Sequence, residues 1–524
     1  MAQRLADILG GHADIHGNGD GVPRIVPLDG SFGARAQAEA ELSAHRRRVH
    51  AWRDRWRRNP GTTLIELRRF FHDPALSAEN AHAWIDTWLT AVDSPDEFER
   101  ALAEDDAPQG LSFSARSWFR ELRAYLHAPP SISRDERGVL DRLLAAHRWP
   151  DVEQLRAQGI EINPHIRQFE KLDPWWIGVA DENLVTKTGK WPNLQKFIRH
   201  TEATPFVYDA QPDELGKPIA LFADFGTGYY HSRMIARQLE QRAPSYAFHL
   251  GDIYYAGRQS EFDRYYTEPL RNVVEQSKLF SIAENHELYS GGKWYLDFLR
   301  DPAKRGITPQ QGSYFCVRFP HHQLIGIDVN WTKRARFVDV ATRQWLSERM
   351  ASADGRTTIL LSGCGPYGYG SDTSYTLLND LWDYLRNGQI AMWVWGDDHY
   401  GALFDRNELI APFYGTCVGH GGYPATREVS GRPSWSKALW VEDEPRFPAW
   451  TGMRDDMLNN GWCELELHDD GGFGLTYLDW LGARRCQASF ASERGAVRMD
   501  SFSIFPRQER PEQAPPLAPS SARR

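Results

Sequence analysis

The sequence predicts an α/β (α+β layered) fold, preceded by an all-helical N-terminal module. From residue 218 to about 480, short apolar runs of strand length alternate with segments of helical periodicity. The first two runs, 219–223 and 246–250, flank a helical segment at 232–242, which is the pattern of a β-α-β unit with parallel strands. Residues 1–160, in contrast, show helical spacing with serines where N-caps belong.

The chain divides into four predicted segments. Residues 1–160 form the helical module, in which 35–58 is a charged amphipathic helix stopped by Pro60. Residues 161–217 are rich in Trp and lack a clear period, so we interpret them as a connector packed on the next domain. Residues 218–480 form the α/β domain. Residues 481–524 are a C-terminal extension, which we expect to be disordered from about 507, where Pro, Ala and Arg predominate.

Composition excludes several classes of protein. The 524 residues carry a formal net charge of −9, so there is no basic field that would indicate nucleic acid or an anionic membrane as a partner. The five cysteines are scattered without a CxxC pair, which favours free thiols. No apolar stretch has the length of a signal peptide or a membrane span. We therefore expect a soluble, cytoplasmic protein.

Five apolar runs each end in polar or glycine-rich residues. The five boundaries are Asp224-Phe225-Gly226, Gly251-Asp252-Ile253-Tyr254-Tyr255, Glu284-Asn285-His286-Glu287, Gly363-Cys364-Gly365-Pro366 and Gly396-Asp397-Asp398-His399. At any single boundary a turn or a helix cap is the simpler explanation, but the ordered series is harder to explain in that way. Asp, Asn, His and Tyr supply the oxygen and nitrogen atoms that divalent metals accept, and parallel strands gather their carboxyl ends at one edge of a sheet. The series predicts a metal site at that edge.

At these boundaries the chain resembles the calcineurin-like metallophosphoesterases, and within them the purple acid phosphatase branch. The first boundary matches the family's Asp-x-Gly block and the second matches its Gly-Asp-x-x-Tyr block. The third matches Gly-Asn-His-Asp/Glu apart from Glu284, where the family has Gly. The resemblance covers about 218–480 and implies a metallophosphoesterase-type β-sandwich flanked by helices, with a two-metal site.

The resemblance also implies a role for each matching residue. By this resemblance, the first metal is bound by Asp224, Tyr255 and His399. Both metals are bridged by Asp252, and the second is also bound by Asn285. The leaving group is protonated, or the phosphate contacted, by His286. Spacing alone selects Tyr255 over its neighbour Tyr254. The implied cofactor is a divalent or trivalent ion, namely Fe, Mn, Zn or Mg. The implied reaction is hydrolysis of a phosphate mono- or diester, such as a phosphorylated small molecule, through a metal-activated water.

Two departures from the family pattern affect the second metal. Gly363 stands where the fourth block presents His, and Asp397 stands where the fifth block presents its first His. Glycine has no ligand atom, whereas the Asp397 carboxylate suits Mn, Mg or Ca. Cys364 offers a thiolate, although a buried inert thiol is the simpler interpretation. We therefore expect one tight metal site, with the second weak or absent.

Several alternatives remain open on the sequence. A degenerate pseudoenzyme would bind a phosphorylated ligand or a protein partner without turnover, and a single redox-capable ion would support different chemistry. The helical module offers a surface for a protein partner. His420, in a glycine-rich loop after the last strands, and His231, after the first boundary, are weaker candidates for contact with substrate phosphate. The sequence does not name the substrate, because specificity would come from loops and the helical module.

Overall fold

The computed structural model describes part of the chain. The described positions are 47, 50–70, 77–79, 81, 82 and 85, and then 198–505 apart from gaps at 229, 302–307, 330–337, 368–374, 407–411, 424, 426–437, 443–457 and 494–495. Most of the predicted helical module and connector, and the tail beyond 505, lie outside these residues. No helix within them is long and apolar enough to cross a membrane.

The chain divides into two compact units. In the first unit, residues 50–58 are helical and helix α1 spans Pro60–Phe70. Trp52 and Trp56 are buried, and the Trp56 ring lies edge-on to His82 at 6.0 Å. The helical periodicity of the sequence is thus confirmed over these residues. Pro60 begins the second helix rather than only stopping the first, since the first position of a helix needs no N–H donor.

The second unit holds the strands. They are β1 Val207–Asp209, β2 Ile219–Phe222, β3 Tyr246–His249, β4 Lys278–Ser281, β5 Phe315–Arg318, β6 His322–Ile327, β7 Thr357–Ser362, β8 Met392–Trp395, β9 Gly401–Phe404, β10 Tyr414–Val418, β11 Ala438–Val441, β12 Gly461–Leu467, β13 Phe473–Asp479, β14 Arg484–Glu493 and β15 Ala496–Ile504. The helices after α1 are α2 Tyr230–Arg242, α3 Gln259–Glu261, α4 Glu268–Leu270, α5 Asn285–Tyr289, α6 Lys293–Arg300, α7 Val340–Ala351 and α8 Tyr375–Arg386, with a π-helical turn Phe262–Thr267 between α3 and α4 and a 3-10 turn at Pro212–Glu214.

The strands form two sheets. One has eight strands in the order β1-β5-β6-β7-β8-β10-β9-β11, and the other has seven in the order β15-β14-β13-β12-β2-β3-β4. Strands β2, β3 and β4 are parallel neighbours, and so are β6, β7 and β8. The predicted parallel pair around helix α2 is therefore confirmed.

Alternating side chains of the eight-stranded sheet build two cores. Leu361 of β7 belongs to the cluster between the two sheets, together with Phe248 and Phe280 of the other sheet. Leu360, one residue earlier, belongs to the outer cluster with Trp345 of α7. This alternation is the period of a strand buried on both faces. The result is two sheets flanked by helices, as the sequence predicts.

The second unit extends beyond both predicted boundaries of the α/β domain. Strand β1, before 218, pairs with β5, and strands β14 and β15, after 480, complete the seven-stranded sheet. In β14 the buried residues Cys486, Ala488 and Phe490 alternate with polar ones. Polar residues at alternate positions lower the average hydrophobic character of such a strand. A continuous apolar run therefore does not reveal it in the sequence.

The contact between the sheets yields a stability prediction. The fully buried ring of Phe248 lies 5.4 Å from that of Phe280 and 5.7 Å from that of Phe315. Phe248→Ala should lower the free energy of unfolding by about 3–5 kcal/mol, because it leaves a cavity between two sheets that cannot collapse. Denaturant unfolding measures this value. The control Val340→Ala, at a side chain 72% exposed, should stay within about 0.5 kcal/mol of the wild type. Equal losses in the two variants would contradict the assigned core.

Candidate metal centre

The ends of the parallel strands from both sheets meet at one place. Asp224 follows β2, Asp252 follows β3 and Asp397 follows β8. The Asp397 backbone N–H donates to Asp224 Oδ2 at 3.0 Å, so it joins the strand ends of the two sheets. All three aspartates have positive φ, at 54°, 72° and 64°. Non-glycine residues in this region cost energy and gather at functional sites, with Asp among those that tolerate it best.

Four side chains form a compact cluster at this edge. Asp224 Oδ1 accepts a hydrogen bond from the Tyr254 hydroxyl at 2.5 Å and lies 3.2 Å from His399 Nε2. The same hydroxyl lies 3.1 Å from His399 Nε2 and 3.3 Å from Asp252 Oδ2. One possible ligand atom from each of Asp224, Asp252 and His399 lies within 4.8 Å of the others. The predicted convergence of these three residues is confirmed.

Asn285 and Asp397 stand together beside this cluster. Asn285 Nδ2 donates to Asp397 Oδ1 at 3.2 Å. This bond fixes the orientation of the amide, and its Oδ1 is buried with no hydrogen-bond partner among the described residues. A buried carbonyl oxygen without a partner is costly, and a cation would satisfy it. The position agrees with the second-metal role that the resemblance implies for Asn285.

The Glu287 carboxylate fixes the backbone on which these ligands stand. It accepts the N–H of Ile253 at 2.6 Å, that of Glu284 at 2.8 Å and that of Asp252 at 3.2 Å. Burial raises the pKa of Glu287 to about 7, against the opposing effect of these backbone bonds. Glu287 therefore positions the loop after β3 and the end of β4 relative to each other.

His286 is held by its backbone and by one ring nitrogen. Its N–H donates to Asp252 Oδ1 at 3.2 Å, and its Nδ1 donates to the Tyr255 carbonyl oxygen at 2.6 Å. Because a carbonyl only accepts, Nδ1 carries the proton and Nε2 is the nitrogen with the lone pair. Burial lowers the pKa of His286 to about 3. Its role toward the leaving group or the phosphate stays a prediction.

The tyrosine at the cluster is Tyr254, whereas spacing in the sequence selected Tyr255. The Tyr254 hydroxyl makes all three contacts described above, and Tyr255 contributes its backbone carbonyl to His286. Tyr254 and Tyr255 lie in a turn after Asp252, and the fold brings the Tyr254 hydroxyl to Asp224. The path of the chain after Asp252 decides which of the two tyrosines reaches Asp224, and a motif written as a spacing does not contain that path.

Three weaker sequence candidates lie in packed surroundings. His231 is 1% exposed and lies edge-on to Trp480 at 4.5 Å. His420 is equally buried, packs against Gly401 and Gly461, and has its pKa lowered to about 4 by burial, so it offers no positive charge to a phosphate. The buried Cys364 belongs to the apolar cluster on the outer face of the eight-stranded sheet. The contact of the two histidines with substrate phosphate stays a prediction, and the buried position of Cys364 agrees with the simpler interpretation of an inert thiol.

Buried negative charge dominates the electrostatics of the cluster. Burial raises the pKa of Asp252 well above its usual range, and the carboxylates of Asp224, Glu287, Asp397 and Glu284 raise it further. Burial disfavours the charged form of His399 as well, but the hydrogen bond and charge of Asp224 outweigh it and raise the pKa of the ring. Buried carboxylates at this density need compensation by a cation. Carboxylate, amide, phenol and imidazole donors together fit a divalent metal ion.

Two residues at the site were not assigned from the sequence. Tyr423 stacks on the His399 ring at 3.7 Å between centroids and lies 5.0 Å from the Tyr254 ring. Glu284 is completely buried at the end of β4. The sequence marks Glu284 as a departure from the family block, which was a usable signal. Tyr423 directly follows the glycine-rich segment that contains His420, and only the fold brings its ring to His399.

The cluster predicts which carboxylate controls metal retention. Asp252→Asn should abolish retention of Mn²⁺ or Zn²⁺, because it removes one of the buried carboxylate charges that converge on the site. The matched control is Asp354→Asn, since Asp354 also has positive φ, at 52°, but its side chain is 74% exposed. Elemental analysis after gel filtration gives the metal content per chain. Equal metal content in the two variants would contradict the assignment of Asp252.

Comparison with known proteins extends these observations. Residues 217–401 match the family model described as calcineurin-like phosphoesterase. A search of the curated proteins found no match. Similar solved structures include GAP50, the anchor in the inner membrane complex of Plasmodium, at 13% identity over 56% of this chain and 90% of that chain with a TM-score of 0.39. Purple acid phosphatase PPD1 from yellow lupin (Lupinus luteus) seeds is similar at 15% identity over 51% and 52% of the two chains, with a TM-score of 0.38. PhoD is similar at 9% identity over 55% and 72%, with a TM-score of 0.38.

At these identities and TM-scores the likenesses to solved structures support no inference about activity. The family match, in contrast, spans all five strand-end boundaries, from Asp224 to His399. It agrees with the side chains that the structure gathers there. Residues 217–401 of this chain are therefore similar to the calcineurin-like phosphoesterases over the segment that carries the cluster.

Proposed function

We propose that this domain hydrolyses a phosphate mono- or diester with the help of a divalent metal ion at the strand ends. The observation that carries the proposal is the convergence of Asp224, Asp252 and His399 within 4.8 Å. These residues come from three different strand ends and lie far apart in the sequence. If these residues served only to form turns, nothing in the fold would require their side chains to lie close together.

In this proposal each side chain of the cluster has a role toward a metal ion. Asp224, Tyr254 and His399 would hold one ion, and Asp252 would face both positions. Asn285 and Asp397 would serve the other position, where the buried Asn285 oxygen has no hydrogen-bond partner among the described residues. A metal ion bound there supplies Lewis-acid activation of water and neutralises charge on a phosphate.

The surroundings of the cluster support a substrate that enters from one side. Asp224 and Asp252 are 0% and 1% exposed, whereas the His399 side chain is 20% exposed. Asn285, Asp397 and Asp398 are partly exposed as well. A phosphate group would reach the partly exposed Asn285 and Asp397 before the buried carboxylates of Asp224 and Asp252. Exclusion of water from that inner side strengthens every electrostatic contact made there.

The second candidate is a binding protein with the same cluster but no turnover. One observation favours it, namely that Gly363 supplies no ligand where the family has His. Such a protein would retain metal and bind a phosphorylated ligand without releasing a product. Activity measurements on metal-loaded protein separate the two candidates.

The proposed hydrolysis predicts activity on generic aryl phosphates. Protein loaded with Mn²⁺ should cleave p-nitrophenyl phosphate or bis(p-nitrophenyl) phosphate, and a chelator should abolish this. Asp224→Asn should lower kcat/KM by at least about 100-fold, because mutation of groups that only orient metal ligands already costs 10–100-fold. The control Asp354→Asn should leave kcat/KM unchanged. Metal-loaded wild type that binds phosphate but cleaves neither ester would instead support the binding protein.

A further inference from the structure

The glycine-rich segment 419–422, which follows β10, lies directly against the strand ends of the metal centre. A Cβ atom added at Gly419 would collide with the Asp398 carbonyl oxygen and would lie 2.9 Å from Asp224 Oδ2. Real Cβ atoms do not make contacts this short. The segment can therefore pass this close to Asp224 only because Gly419 has no side chain.

Tyr423 directly follows this segment, and hydrogen bonds fix its backbone on both sides. Its N–H donates to the Asp224 carbonyl oxygen at 3.1 Å. Its own carbonyl oxygen accepts from Asn460 Nδ2 at 3.1 Å and from the Ala425 N–H at 3.1 Å. Asn460 is buried and also donates to the His420 carbonyl oxygen at 2.9 Å. The base of the Tyr423 side chain is thereby tied to the end of β2.

The Tyr423 ring packs against two rings of the cluster. Its centroid lies 3.7 Å from that of His399, with 23° between the ring planes, and 5.0 Å from that of Tyr254. The direct separation of the Tyr254 and His399 centroids is larger, at 6.3 Å. On its other neighbour the Tyr254 ring lies 4.1 Å from His286. Tyr423 thus contacts both rings whose polar atoms reach Asp224 Oδ1.

The His399 ring needs such a contact, because its hydrogen-bonding groups fix only one of its atoms. Within the part of the chain that the structure describes, Nε2 makes both polar contacts of this side chain, to Asp224 Oδ1 at 3.2 Å and to the Tyr254 hydroxyl at 3.1 Å. Contacts to a single nitrogen leave the ring free to tilt about that atom. A ring stacked on one face removes this freedom, and the ring of Tyr423 is so placed.

We propose that Tyr423 is a positioning residue of the metal centre, whose ring fixes the plane of the His399 imidazole and so directs Nε2 toward the carboxylates of Asp224 and Asp252. The inference rests on the metal ion of the proposed function, which the donor set of the cluster fits. The lone pair of an imidazole nitrogen lies in the plane of the ring, so the tilt of the ring decides whether it points at an ion. The close approach of the segment 419–422 is what delivers the Tyr423 ring to this position.

The experiment titrates Co²⁺ into metal-free protein, because the visible absorption of bound Co²⁺ depends on the geometry of its ligands. Tyr423→Leu should weaken Co²⁺ binding by at least about 10-fold, as loss of a partner that orients a ligand does, and should change the visible spectrum. Tyr423→Phe keeps the stacked ring and should match the wild type in affinity and spectrum. Should Tyr423→Leu not fold, Tyr423→Met replaces the ring with a flexible chain and serves the same comparison.

The matched control is Tyr384→Leu. Tyr384 is another partly buried tyrosine, and it packs against the cluster on the outer face of the eight-stranded sheet, away from the strand ends. This variant should lower the unfolding temperature of metal-free protein and leave Co²⁺ affinity and spectrum unchanged. If Tyr423→Leu shows the same pattern as the control, Tyr423 has a packing role only and the proposal is overturned. Loss of Co²⁺ from Tyr423→Phe as large as from Tyr423→Leu would also overturn it, because the ring would then not be responsible.

The outcomes separate this inference from the proposed function. If the wild type binds no Co²⁺, the proposed function and the inference both fail. If the wild type binds Co²⁺ and cleaves an aryl phosphate, while Tyr423→Leu binds Co²⁺ equally well with the same spectrum, only the inference fails.

Discussion

The concentration of buried carboxylates at the strand ends is the constraint on which the rest of this site depends. Asp224, Asp252 and Glu284 are all at most 1% exposed, and Asp397 stands at their border. Burial raises the pKa of Asp252, and repulsion by the neighbouring carboxylates raises it further. Buried charges of one sign are tolerated only when hydrogen bonds, protons or cations compensate them. The Tyr254 hydroxyl, the His399 ring and several backbone N–H groups supply part of this compensation, and a metal ion would supply the remainder.

The same constraint explains why so much of the surrounding backbone is specialised. Asp224, Asp252 and Asp397 adopt positive φ at the points where their strands end. Gly251, at φ +105°, lies directly against Glu284, and a Cβ atom there would lie only 2.6 Å from Glu284 Cβ. Glu287 accepts three backbone N–H groups and thereby fixes two of the strand ends together. Positive φ costs free energy at each of these positions. The cost is offset because this backbone conformation holds together side chains that would otherwise repel each other into separate conformations.

Space, in addition to charge, limits which side chains can stand at these strand ends. A Cβ atom at position 363 would lie 2.5 Å from Glu284 Oε2 and 3.1 Å from both the Ala283 carbonyl oxygen and Glu284 Cβ. A side chain at position 363 would therefore require the Glu284 carboxylate to move and the chain after β4 to adjust.

The sequence by itself determined the α/β class, the parallel strands around α2 and the meeting of Asp224, Asp252 and His399, because these follow from local periodicity and from the geometry of parallel strands. The strands outside the predicted boundaries at 218 and 480 give weak apolar signals, because β1 has only three residues and polar residues alternate with buried ones in β14. Local patterns also do not contain the direction of a side chain after a turn, so spacing selects Tyr255 although the hydroxyl that contacts Asp224 is that of Tyr254. The contact between Glu284 and Gly363 joins positions on different sheets, and no spacing encodes it. Only the tertiary structure decided that contact, since it depends on how the two sheets pack and on the volume left between their strand ends.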